Sequence, residues 1–158
     1  ETLPNRQLSD WVAKNDPGFR SVLETNLDFA AAWAAQQGIW LFAYLQPHPW
    51  EYKDLSCERA ADTKLMIGRL GPTVDEARYA EIMRAAFSGY AQTYRALAES
   101  YRHADRVEFA DLRRLFEDVE DCVYNDPIHY NDGANRIIAE RMYRDLQAAG
   151  VVHSPQEQ

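Results

Sequence analysis

The stretch Ile39-Trp40-Leu41-Phe42-Ala43-Tyr44-Leu45 is a short, continuous apolar run without alternating polar side chains. A strand that is covered on both faces, as in a parallel sheet, has this pattern. Gln46-Pro47-His48-Pro49 follows directly, and two prolines cannot continue a central strand. We therefore expect a strand over residues 39–45 and a loop that leaves the sheet at the carboxyl end of this strand.

The segments around this strand alternate between helical and extended patterns. A first helix is predicted to start at Asp16-Pro17-Gly18 and to end near Gly38, just before the strand 39–45. A long helix follows from Thr73 to about residue 101, and then a strand over 106–110. A short helix over 111–116 and a helix over about 131–149 complete the order. Residues 50–72 are expected to be irregular. This order is typical of an α/β protein with a parallel sheet, here with about two strands and three to four helices.

The first of these helices carries one apolar stripe at helical spacing, formed by Phe19, Val22, Leu23, Leu27, Ala30, Trp33 and Ala34. Asn26 lies on the same stripe, so we expect it to hydrogen-bond a structural partner or to contact a site. The stripe of the long helix, Tyr79 to Tyr101, is expected to be core. Residues 1–158 are predicted to form a single domain with a loose tail over 150–158.

The composition excludes some classes of function. The net charge of −8 and the pI near 5 argue against a nucleic-acid surface, because phosphate binding needs clustered Lys and Arg. No apolar run approaches the roughly 18 residues that a membrane span needs. The chain opens at Glu1 without an initiator Met, and we expect a processed product or a fragment.

Cys57 and Cys122 are the two cysteines, so a single intramolecular pairing is possible. Two buried thiols are the alternative. A disulfide would favour an oxidising compartment, and we expect a secreted or periplasmic protein.

The segment from Asn125 to Asn135, NDPIHYNDGAN, carries the candidate chemistry. Asp126 precedes His129 by three residues on a loop containing Pro127 and Gly133, just before a helix. A carboxylate that accepts a hydrogen bond from one ring nitrogen fixes the imidazole tautomer and leaves the other nitrogen as a general base. We predict that His129 and Asp126 are catalytic. A helix-entry acid with a partly exposed histidine is the alternative.

Gln46 and His48 follow the first strand, and ligands of open parallel sheets bind beyond the carboxyl ends of the strands. Both are predicted to contact a substrate, although His48 can equally be an ordinary loop residue. Metal binding by His129, Asp126 and Asp132 would be a competing use of the loop. The chain has no His-x-x-x-His or Cys-x-x-Cys pattern, and we predict no metal site.

The block from Asp126 to Ala139, DPIHYNDGANRIIA, resembles the last sequence block of the SGNH/GDSL hydrolases, Asp-x-x-His followed by a Gly-Asn pair or variant and an apolar helix. Two earlier parts of the chain resemble the stretches that precede that block in the family. They are Gly38-Ile39 with the strand and Leu45-Gln46-Pro47, and Val107–Leu112 followed by Phe116. The resemblance covers about residues 17–149. It implies a flavodoxin-like three-layer α/β/α fold and hydrolysis of an acyl ester of a carbohydrate or lipid, with His129 as base and Asp126 orienting it. It implies no metal or organic cofactor.

The chain departs from this family at the nucleophile. The Gly-Asp-Ser block, the second Gly block and the Gly-x-Asn-Asp pattern of the oxyanion hole are missing. Two parallel strands would also leave long bare edges. We therefore expect this chain to be the C-terminal part of a hydrolase domain, inactive alone, with the serine supplied by a companion N-terminal polypeptide.

Two rival functions remain open. The first is a non-catalytic helical interaction module that uses the Tyr-rich long helix as its interface. The second is a degenerate hydrolase that binds an acylated glycan without turning it over.

Overall fold

The structure is a computed structural model, and it describes residues 5–61, 76–126 and 128–152. The elements follow in the order α1 (Asn5–Gln37), β1 (Leu41–Leu45), α2 (Ser56–Ala60), α3 (Glu76–Ser100), β2 (Val107–Asp111) and α4 (Asp132–Ala148). The predicted cap of the long helix at Thr73, His153 and the end of the predicted tail, residues 153–158, lie outside the described residues.

The sheet of the described residues consists of β1 and β2, paired in parallel with Leu41 opposite Val107 and Leu45 opposite Asp111. The predicted strands are thus confirmed in number and direction, each within two residues of its predicted bounds. α3 connects them, as a parallel pair requires. The chain is a small α/β fold with a two-stranded parallel sheet.

One face of the sheet is covered by α1 and α3. Ala43 and Leu45 of β1 pack against Phe87, Ala91 and Tyr94 of α3. Partly buried side chains complete this cluster: Leu23, Leu27, Met83, Tyr90 and Phe109. The aromatic residues of α3 are therefore core, as expected, and they do not form the exposed interface that the interaction-module hypothesis assigned to this helix.

The opposite face of β1 carries a row of stacked rings. The ring centroids of Trp40 and Phe42 are 5.5 Å apart, and those of Phe42 and Tyr44 are 6.4 Å apart. All three side chains are half-buried. Burial raises the pKa of Tyr44 to about 12, and the charge of Asp145 on α4 adds to the shift. Asp145 of α4 therefore lies close enough to this second face to act on the Tyr44 hydroxyl.

A second core cluster joins α3, α4 and the segments that follow β1 and β2. It contains Trp50, Leu55, Ala80, Phe116, Val123, Tyr124 and Ala134. Phe116 is fully buried and Tyr124 is 1% exposed, and the two rings meet edge to face with centroids 5.8 Å apart. This cluster supports the segment that carries Asp126 and His129.

α1 differs from its prediction in two ways. It runs unbroken from Asn5 to Gln37 through Pro17, so the helix start expected at Asp16 is wrong. Proline removes one donor and displaces one carbonyl, which weakens a helix locally without always ending it. Asn26, expected to need a partner, is exposed to solvent, because the apolar residues of α1 occupy two sides of the helix and only one of them faces the core.

Two further expectations are wrong. Residues 56–60, expected to be irregular, form α2. The segment after β2, expected to be helical over 111–116, is a series of turns in which Leu115 N–H donates to Leu112 O and Glu117 N–H to Arg114 O. The Asp111 carboxylate accepts from the backbone N–H of Arg113 at 3.1 Å, a local bond that competes with helix formation.

Among the described residues, every helix is too short or too polar to cross a bilayer.

Candidate functional site

Asp126 and His129 lie on a short loop between two antiparallel segments, here called the Asp–His hairpin (residues 122–131). Tyr124 and Tyr130 form an isolated antiparallel bridge. The N–H of Asn125 donates to His129 O at 2.9 Å, and the N–H of Asn131 donates to Val123 O at 2.9 Å. These two backbone hydrogen bonds form the bridge, close the loop at its base and hold its two ends together.

The two predicted catalytic side chains are in contact. Oδ2 of Asp126 lies 2.7 Å from Nδ1 of His129. Oδ1 of Asp126 accepts from the backbone N–H of Ile128 and of His129, each at 2.9 Å. The carboxylate is thus fixed by the loop backbone and in turn orients the imidazole.

The other edge of the imidazole faces outward. The His129 side chain is 67% exposed, whereas that of Asp126 is 18% exposed. Because Nδ1 is bonded to Asp126, Nε2 is the ring nitrogen that a second molecule can reach.

Asp126 is held in its charged form. Burial acts to raise its pKa, but the hydrogen bonds from the Ile128 N–H and from the ring and N–H of His129 outweigh burial and lower the pKa. In a neutral imidazole, a carboxylate beside Nδ1 favours the tautomer with the proton on Nδ1, which leaves the lone pair on Nε2. A proton acceptor directed at solvent is the chemistry that this arrangement offers.

The base of the hairpin is fastened to α2. Cys57 and Cys122 form a disulfide across 65 residues of sequence, so the pairing that the sequence allowed is present. Next to it, Oε1 of the fully buried Glu58 accepts from the N–H of Val123 at 2.8 Å and of Tyr124 at 3.4 Å. Sequence reasoning missed Glu58, because nothing in its local context indicates a partner 65 positions away.

Asn131 joins the hairpin to α4. Its Oδ1 accepts from the N–H of Ala134 at 2.8 Å and caps the helix, while its Nδ2 donates to Cys122 O. An Asn at the start of a helical pattern is a recognisable capping signal, and α4 begins within one residue of the start predicted near residue 131. The bond to Cys122 has no such signal.

The hairpin also contacts the loop that follows β1. The hydroxyl of Tyr130 donates to Pro47 O at 2.8 Å. The Asp–His hairpin and the Gln46–Pro49 loop therefore lie on one side of the molecule, beyond the carboxyl end of the strands, as predicted. Gln46 is exposed there and remains a candidate for substrate contact.

His48 occupies a different environment from the one predicted. It is 4% exposed, and its ring lies 4.2 Å from that of Phe87 and 5.3 Å from that of Trp50, measured between centroids. Burial lowers its pKa to about 4. His48 is therefore a neutral histidine packed among aromatic rings, and the substrate contact predicted for it stays a prediction.

A buried ion-pair network lies next to these loops. Arg113 donates to both oxygens of Asp111 and, at 2.6 Å, to Oε1 of Glu51. Burial raises the pKa of Glu51 against the opposing effect of Arg113, and the hydrogen bonds from Arg113 lower the pKa of Asp111 despite burial. The network ties the end of β2 to the loop after β1, a function that spacing in the sequence could not reveal.

Within the part of the chain that the structure describes, no group of three or more His, Cys, Asp or Glu side chains is placed to hold a metal ion. Comparisons with protein families, with curated proteins and with solved structures gave no match.

Proposed function

We propose that this chain supplies the histidine and aspartate of a serine ester hydrolase of the SGNH type, acting on an acyl ester of a carbohydrate or lipid. The observation that carries the proposal is the 2.7 Å contact between Asp126 Oδ2 and His129 Nδ1, combined with the exposed outer edge of the imidazole. An imidazole that is oriented on one side and open on the other is suited to take a proton from a hydroxyl.

The nucleophile comes from a companion N-terminal polypeptide in this proposal. Among the serines whose side chains the structure describes, Ser56 bonds Asp54, Ser100 donates to Ala96 O, and Ser21 and Ser88 lie exposed on long helices. None of these hydroxyls is bonded to His129. The imidazole therefore needs a hydroxyl from outside the described part of this chain.

The edge of β1 offers a place for the companion. Leu41 N–H donates to Arg106 O, and Leu45 O accepts from Leu112 N–H, so these odd-numbered residues bond to β2. In a parallel pair the intervening residues direct their backbone groups to the other side. The backbone N–H and C=O groups of Phe42 and Tyr44 thus point to an edge of β1 that has no strand among the described residues. A strand of the companion would continue the sheet at this edge.

The test is hydrolysis of p-nitrophenyl acetate and labelling by a fluorophosphonate probe, both carried out on the native assembly. We expect labelling of a serine in the companion polypeptide and none in this chain. In His129→Ala, kcat should fall by about 10⁴–10⁶, the range found when a single triad residue is removed.

His103→Ala is the matched control, since His103 is exposed and lies far along the sequence from the hairpin. Its kcat should stay at the wild-type level. Wild-type turnover by His129→Ala, or probe labelling of a serine in this chain, would contradict the proposal.

A non-catalytic interaction module is the second candidate, and a separate observation favours it. α1 carries several large apolar side chains that are exposed: Phe19, Val22, Phe29 and Trp33. Native material that neither labels nor turns over ester but retains a stable protein partner would support this function over hydrolysis.

A further inference from the structure

We propose that the outer side of α1 is a self-association surface on which a second copy of this chain docks. The surface, called the outer seam here, consists of Phe19, Val22, Asn26, Phe29 and Trp33. This inference goes beyond the proposed function and does not depend on it.

The spacing of the outer seam is that of a coiled coil. Its residues are separated by three, four, three and four positions, which is the a and d pattern of a heptad repeat. Leu8 and Val12 occupy earlier positions of the same repeat in the sequence. At about 100° per residue the seam lies roughly a third of a turn away from the stripe that packs inward, so it is a separate side of the helix.

The seam remains largely exposed in a single folded copy. Phe19 is 52% exposed, Val22 59%, Phe29 72% and Trp33 52%. With about 150–250 Å² for each aromatic side chain, these exposed parts come to roughly 400 Å² per copy. Two such seams supply the apolar centre of an interface of standard size, which buries about 800 Å² on each partner.

The charge pattern favours a second copy as the occupant. The chain carries a net charge of −8, so most of its surface repels an identical chain. From Gly18 to Gln37, however, the seam and the positions beside it carry no charge, and one flank is formed by the small residues Gly18, Thr25 and Ala32. Two helices can therefore approach closely here without like charges meeting.

Asn26 also fits a symmetric pair. It lies at the middle of the seam and is exposed, with two large apolar residues on each side of it. A two-fold axis at this point places the amide beside Asn26 of the second copy, where each can donate to and accept from the other. A single Asn at such a position fixes the register of a helix pair.

The first experiment is sedimentation of the intact chain between 1 and 100 µM. We expect a monomer–dimer equilibrium, with a dissociation constant that rises at least about 100-fold in the Val22→Glu/Phe29→Glu double variant, because both copies lose central contacts and gain opposed charges. Tyr143→Glu is the control, since Tyr143 is 41% exposed on α4 outside the seam, and it should leave the dimer intact.

The second experiment is a disulfide cross-link of Asn26→Cys under mild oxidation, compared with Glu24→Cys. Glu24 is also exposed on α1, but it lies outside the seam. We expect covalent dimers at position 26 and few at position 24. A wild-type monomer at 100 µM, equal cross-linking at both positions, or a seam covered by a different polypeptide would each overturn the inference.

Discussion

The Asp–His hairpin and α1 differ in how far the chain itself satisfies their side chains. Every polar contact that orients Asp126 and His129 comes from within the chain, through the hairpin backbone, Glu58 and Asn131. α1, in contrast, packs one side inward and leaves a second apolar side in solvent. The hairpin is thus held by contacts within the chain, whereas α1 has an apolar side that the described part of the chain leaves exposed.

Removal of the disulfide should have the largest effect on the free energy of unfolding, and it tests this contrast. In Cys57→Ala/Cys122→Ala, the free energy of unfolding should fall by about 2–5 kcal/mol, because the cross-link restricts the unfolded chain and fastens the hairpin to α2. Hydrogen exchange should quicken at the N–H groups of Val123 and Tyr124 and remain unchanged in the middle of α1. Equal quickening in both regions would show that the disulfide does not act locally on the hairpin.

The next effect concerns the pH dependence of His48, which lies in the loop that the hairpin contacts. Its folded-state pKa of about 4 lies below the value of about 6.5 in an unfolded chain. The unfolded state therefore binds the proton more readily, so the stabilising effect is fully present above pH 6.5 and is lost as the pH falls toward 4. The total loss is about 3 kcal/mol.

The measurement for His48 is the free energy of unfolding against pH in urea. His48→Phe keeps a ring next to Phe87 but removes the titration, so its curve between pH 4 and 6.5 should be flatter than that of the wild type. His103→Phe changes an exposed histidine and should leave the slope as it is. An unchanged slope in His48→Phe would mean that this residue does not cause the acid sensitivity.

A smaller effect is expected at the junction of the hairpin with α4. Asn131→Ala removes the cap of α4 and the bond to Cys122, and it should lower the free energy of unfolding by about 1 kcal/mol. Asn131→Asp keeps the acceptor for Ala134 N–H and should recover part of this loss. Thermal unfolding of the three proteins would separate the capping bond from the bond to Cys122.

The sequence predicted those parts of the molecule that depend on local pattern. The apolar run at 39–45 predicted β1, the alternation of helices and strands predicted the parallel pairing, and the helical pattern after the Asp–His hairpin predicted α4. The spacing of Asp126 and His129 predicted their contact, because the two residues are only three positions apart in the same loop.

The features that were missed depend on contacts between distant parts of the chain. Glu58 reaches the hairpin across 65 residues and Arg113 reaches Glu51 across 62, and no local pattern encodes either pair. Helical spacing likewise identified the apolar residues of α1 but not the side to which each turns. In the sequence, an apolar stripe that is wider than one face of a helix looks like a single core stripe. Only the packing in the structure shows which part of the stripe is buried.

The smallest effect is expected on α1, and it separates folding from association. Phe29→Ser replaces a side chain that is 72% exposed, so at 1 µM the free energy of unfolding should change by less than about 0.5 kcal/mol. Phe87→Ser, at a ring that is 9% exposed in the core, should cost several kcal/mol, on the order of the 3–5 found for truncation of buried aromatic residues. At 100 µM a self-associating wild type gains stability by mass action, whereas Phe29→Ser does not. The difference between wild type and Phe29→Ser should therefore grow with protein concentration, and a difference that is already large at 1 µM would place Phe29 in the core of a single copy.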